Sequence, residues 1–88
     1  MKLSDDKIWA NIERILKTYR FQYVLDKEYK FIKILNTNYR LEFDTTTVPW
    51  RCTVFEFSKY VFSSNILSVV LFLHMKRHKD KEKCTENR

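Results

Sequence analysis

The chain has no glycine at all, a single proline, Pro49, and only two cysteines, Cys52 and Cys84, in 88 residues. Without glycine no backbone loop can approach a phosphate in the usual Walker or dinucleotide-binding manner, so those fingerprints are excluded. Turns have to be made by Asn, Asp, Ser and Thr, which accept left-handed geometry less readily. The cysteines form no framework: one lies among β-type residues, the other in a polar terminus, and no CxxC or Cys/His spacing accompanies them. Reduced thiols in an intracellular setting, cytoplasmic or nuclear, are therefore expected. A long hydrophobic run is missing too. The most apolar stretch, Val61 to Met75, has 15 residues and includes Ser63, Ser64, Asn65 and Ser68, short of the roughly 20 needed to span hydrocarbon. The first residues, MKLSDDKIW, contain no apolar segment of the kind a secretory signal needs.

Reactive constellations are equally scarce. His74 and His78 stand four apart, on one face of a helix, but a zinc site needs three or four ligands and HMKRH offers no third. No metal and no cofactor are expected. Neither a Ser/His/Asp nor a Cys/His set with a nucleophile elbow can be assigned. Glu42 and Asp44 share a strand face, where charge alternating toward solvent accounts for them better than acid/base chemistry does. The expectation is a protein that is not an enzyme.

Aromatic side chains are abundant. Seven Phe, five Tyr and two Trp each remove about 150–250 Å² from water, burial that a small domain needs because only about 60% of its unfolded surface can be covered. The hydrophobic fraction of 44% is that of a globular chain.

Periodicity orders these residues. Ser4 with Asp5 and Asp6 makes a helix start, a hydroxyl cap followed by carboxylates at the positive end of the dipole. Ile8, Ile12, Ile15, Leu16 and Tyr19 then recur at helical spacing and form one apolar stripe. Near Arg20 the period changes to two. Residues 20–25, 29–35 and 39–44 read as strands separated by Asp26-Lys27-Glu28 and Asn36-Thr37-Asn38. After the Pro49 loop, 51–62 reads as a fourth strand. Ser63, Ser64 and Asn65 can each cap the apolar run from Ile66 to Met75, a helix too hydrophobic to stand in water. The fold predicted is a single α+β domain over 1–79, a four-stranded mainly antiparallel sheet with helices Ser4–Tyr19 and Asn65–Lys79 packed on one face. A charged, disordered tail over 80–88 is expected to follow.

Charge is unevenly placed. The net charge is +6, and half of it falls in residues 76–88, where six basic groups face three acidic ones. Lys76, Arg77, Lys79, Lys81 and Lys83 follow the last apolar turn, where cations suit the negative end of the helix dipole and can reach an anionic membrane surface. Whether this tail binds or only keeps the chain soluble stays open at this point.

The segments IERILKTYRFQY, YRLEFDTTTVPWRCTVFEFSKY and FSSNILSVVLFLHMKR resemble, over about residues 6–77, the helix running into a strand, the paired strands and the closing helix of the kinase-associated-1 domain family. That resemblance implies a non-enzymatic domain docking on anionic phospholipid or on a protein partner through basic residues, here Lys59, Lys76, Arg77 and Lys79. The alternatives are a nucleic-acid binder using Arg20, Lys30, Lys33 and Arg40 with the tail, and a small viral or phage protein that inhibits a host target. Homo-oligomerisation is also open.

Overall fold

A computed structural model describes the backbone of residues 4–86 and the side chains of residues 4–77. The chain forms helix α1 (Asp5–Thr18), strands β1 (Tyr23–Asp26), β2 (Phe31–Ile34), β3 (Tyr39–Asp44), β4 (Arg51–Glu56) and β5 (Lys59–Ser64), and helix α2 (Ile66–Glu86). The strands lie in the order β1-β2-β3-β4-β5, every pair antiparallel.

The sheet thus has five strands, not the four that the alternation predicts. The single strand read over 51–62 is a hairpin, reversed at Phe57 and Ser58, whose φ values are 52° and 66°. A two-residue loop with both residues left-handed has the geometry of a type I′ turn, which matches the twist of paired strands. Asn-Gly or Asp-Gly usually marks it; Phe-Ser continues the aromatic pattern and conceals it. Ser63 and Ser64 accordingly belong to β5, and Asn65 caps α2, its side-chain oxygen accepting from Ser68 N at 2.9 Å and its carbonyl from Val69 N at 3.1 Å. The tail expected over 80–88 lies outside the described side chains.

At its start α1 is held by Ser4, whose hydroxyl accepts from Lys7 N at 3.4 Å. Its end is a Schellman motif: Phe21 N donates to Leu16 O at 3.0 Å and Arg20 N to Lys17 O at 2.9 Å, with Arg20 at φ 62°. Phe21 and Leu16 are both buried, the apolar contact that accompanies this cap.

Alternation along the strands separates the two faces. Leu25, Ile32, Leu41, Val54 and Phe62 stand in one cross-strand row, and Ile32, Leu41 and Val54 are fully buried. The next row, Val24, Lys33, Arg40, Phe55 and Tyr60, lies on the opposite face and is largely exposed. Trp9, Ile12 and Leu16 of α1 and Val69, Val70 and Leu73 of α2 complete the core. Trp9 packs edge-to-face on Phe43 at 5.2 Å and on Trp50 at 4.9 Å between ring centres, and Phe72 does the same with Tyr39 and Phe62. A β-bulge between Val54 and Phe55 shifts the register of β5. Among the described residues no helix is long and apolar enough to cross a membrane.

Cys52 is buried in β4 as a free thiol, and burial pushes it up to about 12, so it stays protonated and unreactive in the folded chain.

Two outcomes test this architecture. Ser58→Gly removes the Cβ penalty of a left-handed residue against a smaller gain in unfolded-state entropy, and should raise the unfolding free energy by about 0.5–1 kcal/mol. The urea midpoint measures it, and no increase would contradict the turn. Tyr23 donates its hydroxyl to Glu13 at 2.8 Å; burial first, then that hydrogen bond and the Glu13 charge, raise the phenol from 10.0 to about 12. A folded-state value above the unfolded one stabilises fully below the unfolded value and is lost as pH rises through the folded one. Urea stability should therefore decline between about pH 10 and about pH 12 more steeply in the native chain than in Tyr23→Phe.

Candidate functional site

Three reversals meet at one end of the sheet: the exit from α1 into β1, the β2–β3 turn and the β4–β5 turn. Leu73, Lys76 and Arg77 of α2 border the same end. Arg77 makes the junction, its guanidinium donating to Tyr19 O at 2.7 Å and Arg20 O at 3.5 Å, carbonyls that α1 leaves unpaired at its terminus. The same group stacks on Phe21 at 4.2 Å and lies 3.2 Å from His74 Nδ1, while the His74 ring meets Tyr19 edge-on at 5.1 Å. A planar cation at the negative end of a helix dipole is favourable in itself, and the fork lets it hold both carbonyls.

Around this junction is a cleft of about 560 Å³. Its floor is apolar, with Phe21, Ile34, Leu73 and Tyr39. Its rim is cationic and polar: Arg20, Lys76 and Arg77 stand with Gln22, Asn36, Thr37 and Asn38, and Glu56 is the one carboxylate among the described residues of the lining. Lys76 is exposed, its ammonium 5.7 Å from the Phe72 ring centre. The β2–β3 turn that forms one wall is set by its own polar side chains. Thr37 donates its hydroxyl to Ile34 O at 2.8 Å and accepts from Tyr39 N at 3.1 Å, and Asn36 takes φ 63°.

The other side of that turn faces a second concavity of about 450 Å³, on the sheet face away from the core, lined by Lys33, Arg40, Glu42, Phe55, Phe57 and Ser58 and sharing Thr37, Asn38 and Tyr39 with the cleft. The Arg40 guanidinium carbon is over the Phe31 ring, 4.2 Å from its centre, and Arg40 pairs with Glu42 at 3.3 Å. Phe57 N donates to Asn38 O at 3.1 Å, which fixes the hairpin tip against the β2–β3 turn.

The basic residues singled out by sequence separate accordingly. Lys76 and Arg77 come together with Arg20, which the periodicity had assigned to the alternative group. Lys33 and Arg40 are cross-strand neighbours on the open face. Lys30 sits at the opposite end of the sheet, left-handed at φ 57°, its carbonyl accepting from Phe43 N. Lys59 opens β5 opposite Glu56 and is not in the lining of the cleft. Lys79, Lys81 and Lys83 lie outside the described side chains. Gln22, Asn36 and Asn38 carry no sequence signal beyond their place in or beside turns, and Phe57 reads as an ordinary strand aromatic. Among the described residues no three His, Cys, Asp or Glu side chains come together in a way that could hold a metal ion.

Comparison with protein-family models, curated proteins and solved structures finds no match. The functional reading rests on the geometry of this end of the sheet.

Arg77→Ala should lower the unfolding free energy by about 1–2 kcal/mol, because it removes a charged donor from carbonyls at a helix end. Arg77→Lys retains the charge without the fork and should recover only part of the loss. Urea denaturation of the three chains decides between them; full recovery by lysine would reduce the clamp to a charge–dipole effect.

Proposed function

We propose that the chain is a non-enzymatic interaction module, with both helices over one sheet face, that docks on the anionic groups of a partner through the cleft of Arg20, Lys76 and Arg77. The observation that carries this reading is convergence. Cations separated by more than 50 residues along the chain surround one concavity, with one carboxylate, Glu56, opposing them among the described residues. An apolar floor behind a cationic rim lowers the local dielectric and strengthens each attraction to an anion. Side-chain amides on the β2–β3 turn add neutral donors, the complement of a phosphate or carboxylate oxygen. Phospholipid headgroups, acidic protein segments and nucleic-acid backbones all present that chemistry. The basic stretch after Met75 extends the same sign of charge beyond the cleft.

A heparin titration against salt tests the cleft. Neutralising a cation that contacts the polyanion reduces the slope of log affinity against log salt by about 1, so Arg20→Gln with Lys76→Gln should reduce it by about 2. An unchanged slope in a variant that keeps its circular dichroism spectrum would remove the cleft from the binding surface.

A further inference from the structure

We infer that the anionic partner is a single-stranded nucleic acid, its phosphates held by Arg20 and Lys76 in the cleft and a neighbouring base laid against Phe57 and Phe55 on the other side of the β2–β3 turn. The inference rests on the cleft reading above and adds the class of its occupant. Four features of the second concavity support it.

The concavity is aromatic as well as cationic. A phospholipid headgroup or an acidic peptide gives an exposed ring no flat face to cover, whereas every unpaired base does. Phe57 is 69% exposed at the hairpin tip, and its φ of 52° is uncommon for a bulky side chain. The turn needs a left-handed residue there but not an aromatic one, and the chain places Asn at such a position in the β2–β3 turn. The ring at 57 is therefore unexplained by folding and explained by a stacking partner.

The open face is cationic at its centre. Lys33 and Arg40 are directly opposite each other across β2 and β3, and Arg40 also pairs with Glu42. A phosphate that reached both cations would add charge-assisted bonds to that pairing. Arg40 already shows how a flat group is accommodated, its guanidinium stacked on Phe31, and arginine in that pose presents its outer face for stacking with a base.

Strain points to the same place. Of the five left-handed residues among those described, Arg20 and Asn36 line the cleft and Phe57 and Ser58 line the second concavity. Non-glycine residues held there cost about 1 kcal/mol or more each and collect at binding sites. Finally, the two concavities share Thr37, Asn38 and Tyr39 as their common wall, so a flexible strand can pass over one turn from the aromatic side to the cationic side. A duplex, with its bases stacked inside, offers nothing to Phe57.

Fluorescence anisotropy with a labelled oligothymidylate of about 12 nucleotides, the matching duplex, and vesicles containing phosphatidylserine tests the assignment. The single strand should bind more tightly than the duplex. Phe57→Ala should weaken single-strand binding by about 5- to 150-fold, the range for one base stacked on one ring, while its heparin salt slope stays that of the native chain. Equal affinity for duplex and single strand, no effect of Phe57→Ala, or binding to the vesicles without binding to the oligonucleotide would each overturn the inference and leave the cleft reading standing. A heparin slope indifferent to Arg20→Gln with Lys76→Gln overturns both.

Discussion

A meander without glycine has to reverse direction through residues that carry side chains, and much of this molecule follows from that constraint. Arg20, Lys30, Asn36, Phe57 and Ser58 all take left-handed backbone. In a chain with glycine such positions are bare, because the missing Cβ is what makes the conformation easy. Here each of these left-handed positions carries a guanidinium, an ammonium, an amide, a ring or a hydroxyl. Three of the reversals fall at one end of the sheet, so the turn side chains become the walls of a cleft. The composition that excludes a glycine-rich phosphate loop thus supplies an alternative way of presenting donors, by side chain where such loops use backbone.

The clamp at Arg77 gives that end its shape. It satisfies carbonyls at the end of α1, covers Phe21 and places the terminal turn of α1 beside α2. The cationic rim is therefore partly structural: one of its three charges is already engaged with the helix terminus and remains exposed beside Arg20 and Lys76. A helix C-terminus and an anion make the same demand on a guanidinium, so the proposed anion cleft and the structural clamp draw on one chemistry.

The helices and the third strand were legible from period alone, since Ile8, Ile12, Ile15, Leu16 and Tyr19 keep helical spacing and Tyr39, Leu41 and Phe43 alternate with charged residues, although the stripe left out Trp9, which the structure buries. The fifth strand was not. Its turn, Phe57-Ser58, contains none of the residues that normally announce a reversal, and Val61 and Phe62 continue the apolar pattern across it. The caps misled in the same way, three successive candidates standing before α2 where only Asn65 acts. Of the site, the basic character near Lys76 and Arg77 could be read, because clustered charge is visible in composition. The inclusion of Arg20 could not. It depends on a contact across 57 positions between the Arg20 carbonyl, just past the end of α1, and Arg77, and periodicity describes each helix without saying which ends meet. Phe57 stayed unnoticed because an aromatic in a strand pattern is ordinary, and becomes informative only once the backbone shows it at a tip.

The bulge in β5 bears on how molecules of this protein meet one another. An open sheet exposes two rows of unpaired backbone groups, one along each outer strand, and such rows are templates for edge-to-edge aggregation. On one side β1 is only four residues long. On the other, the irregularity between Val54 and Phe55 breaks the regular register of β5, and Lys59 begins the strand. A short edge, a distorted edge and a lysine at its start are the means by which sheets resist joining end to end. Lys59, outside the cleft, stands at the start of that edge strand, where a charged side chain is one of the features that blunt a sheet edge.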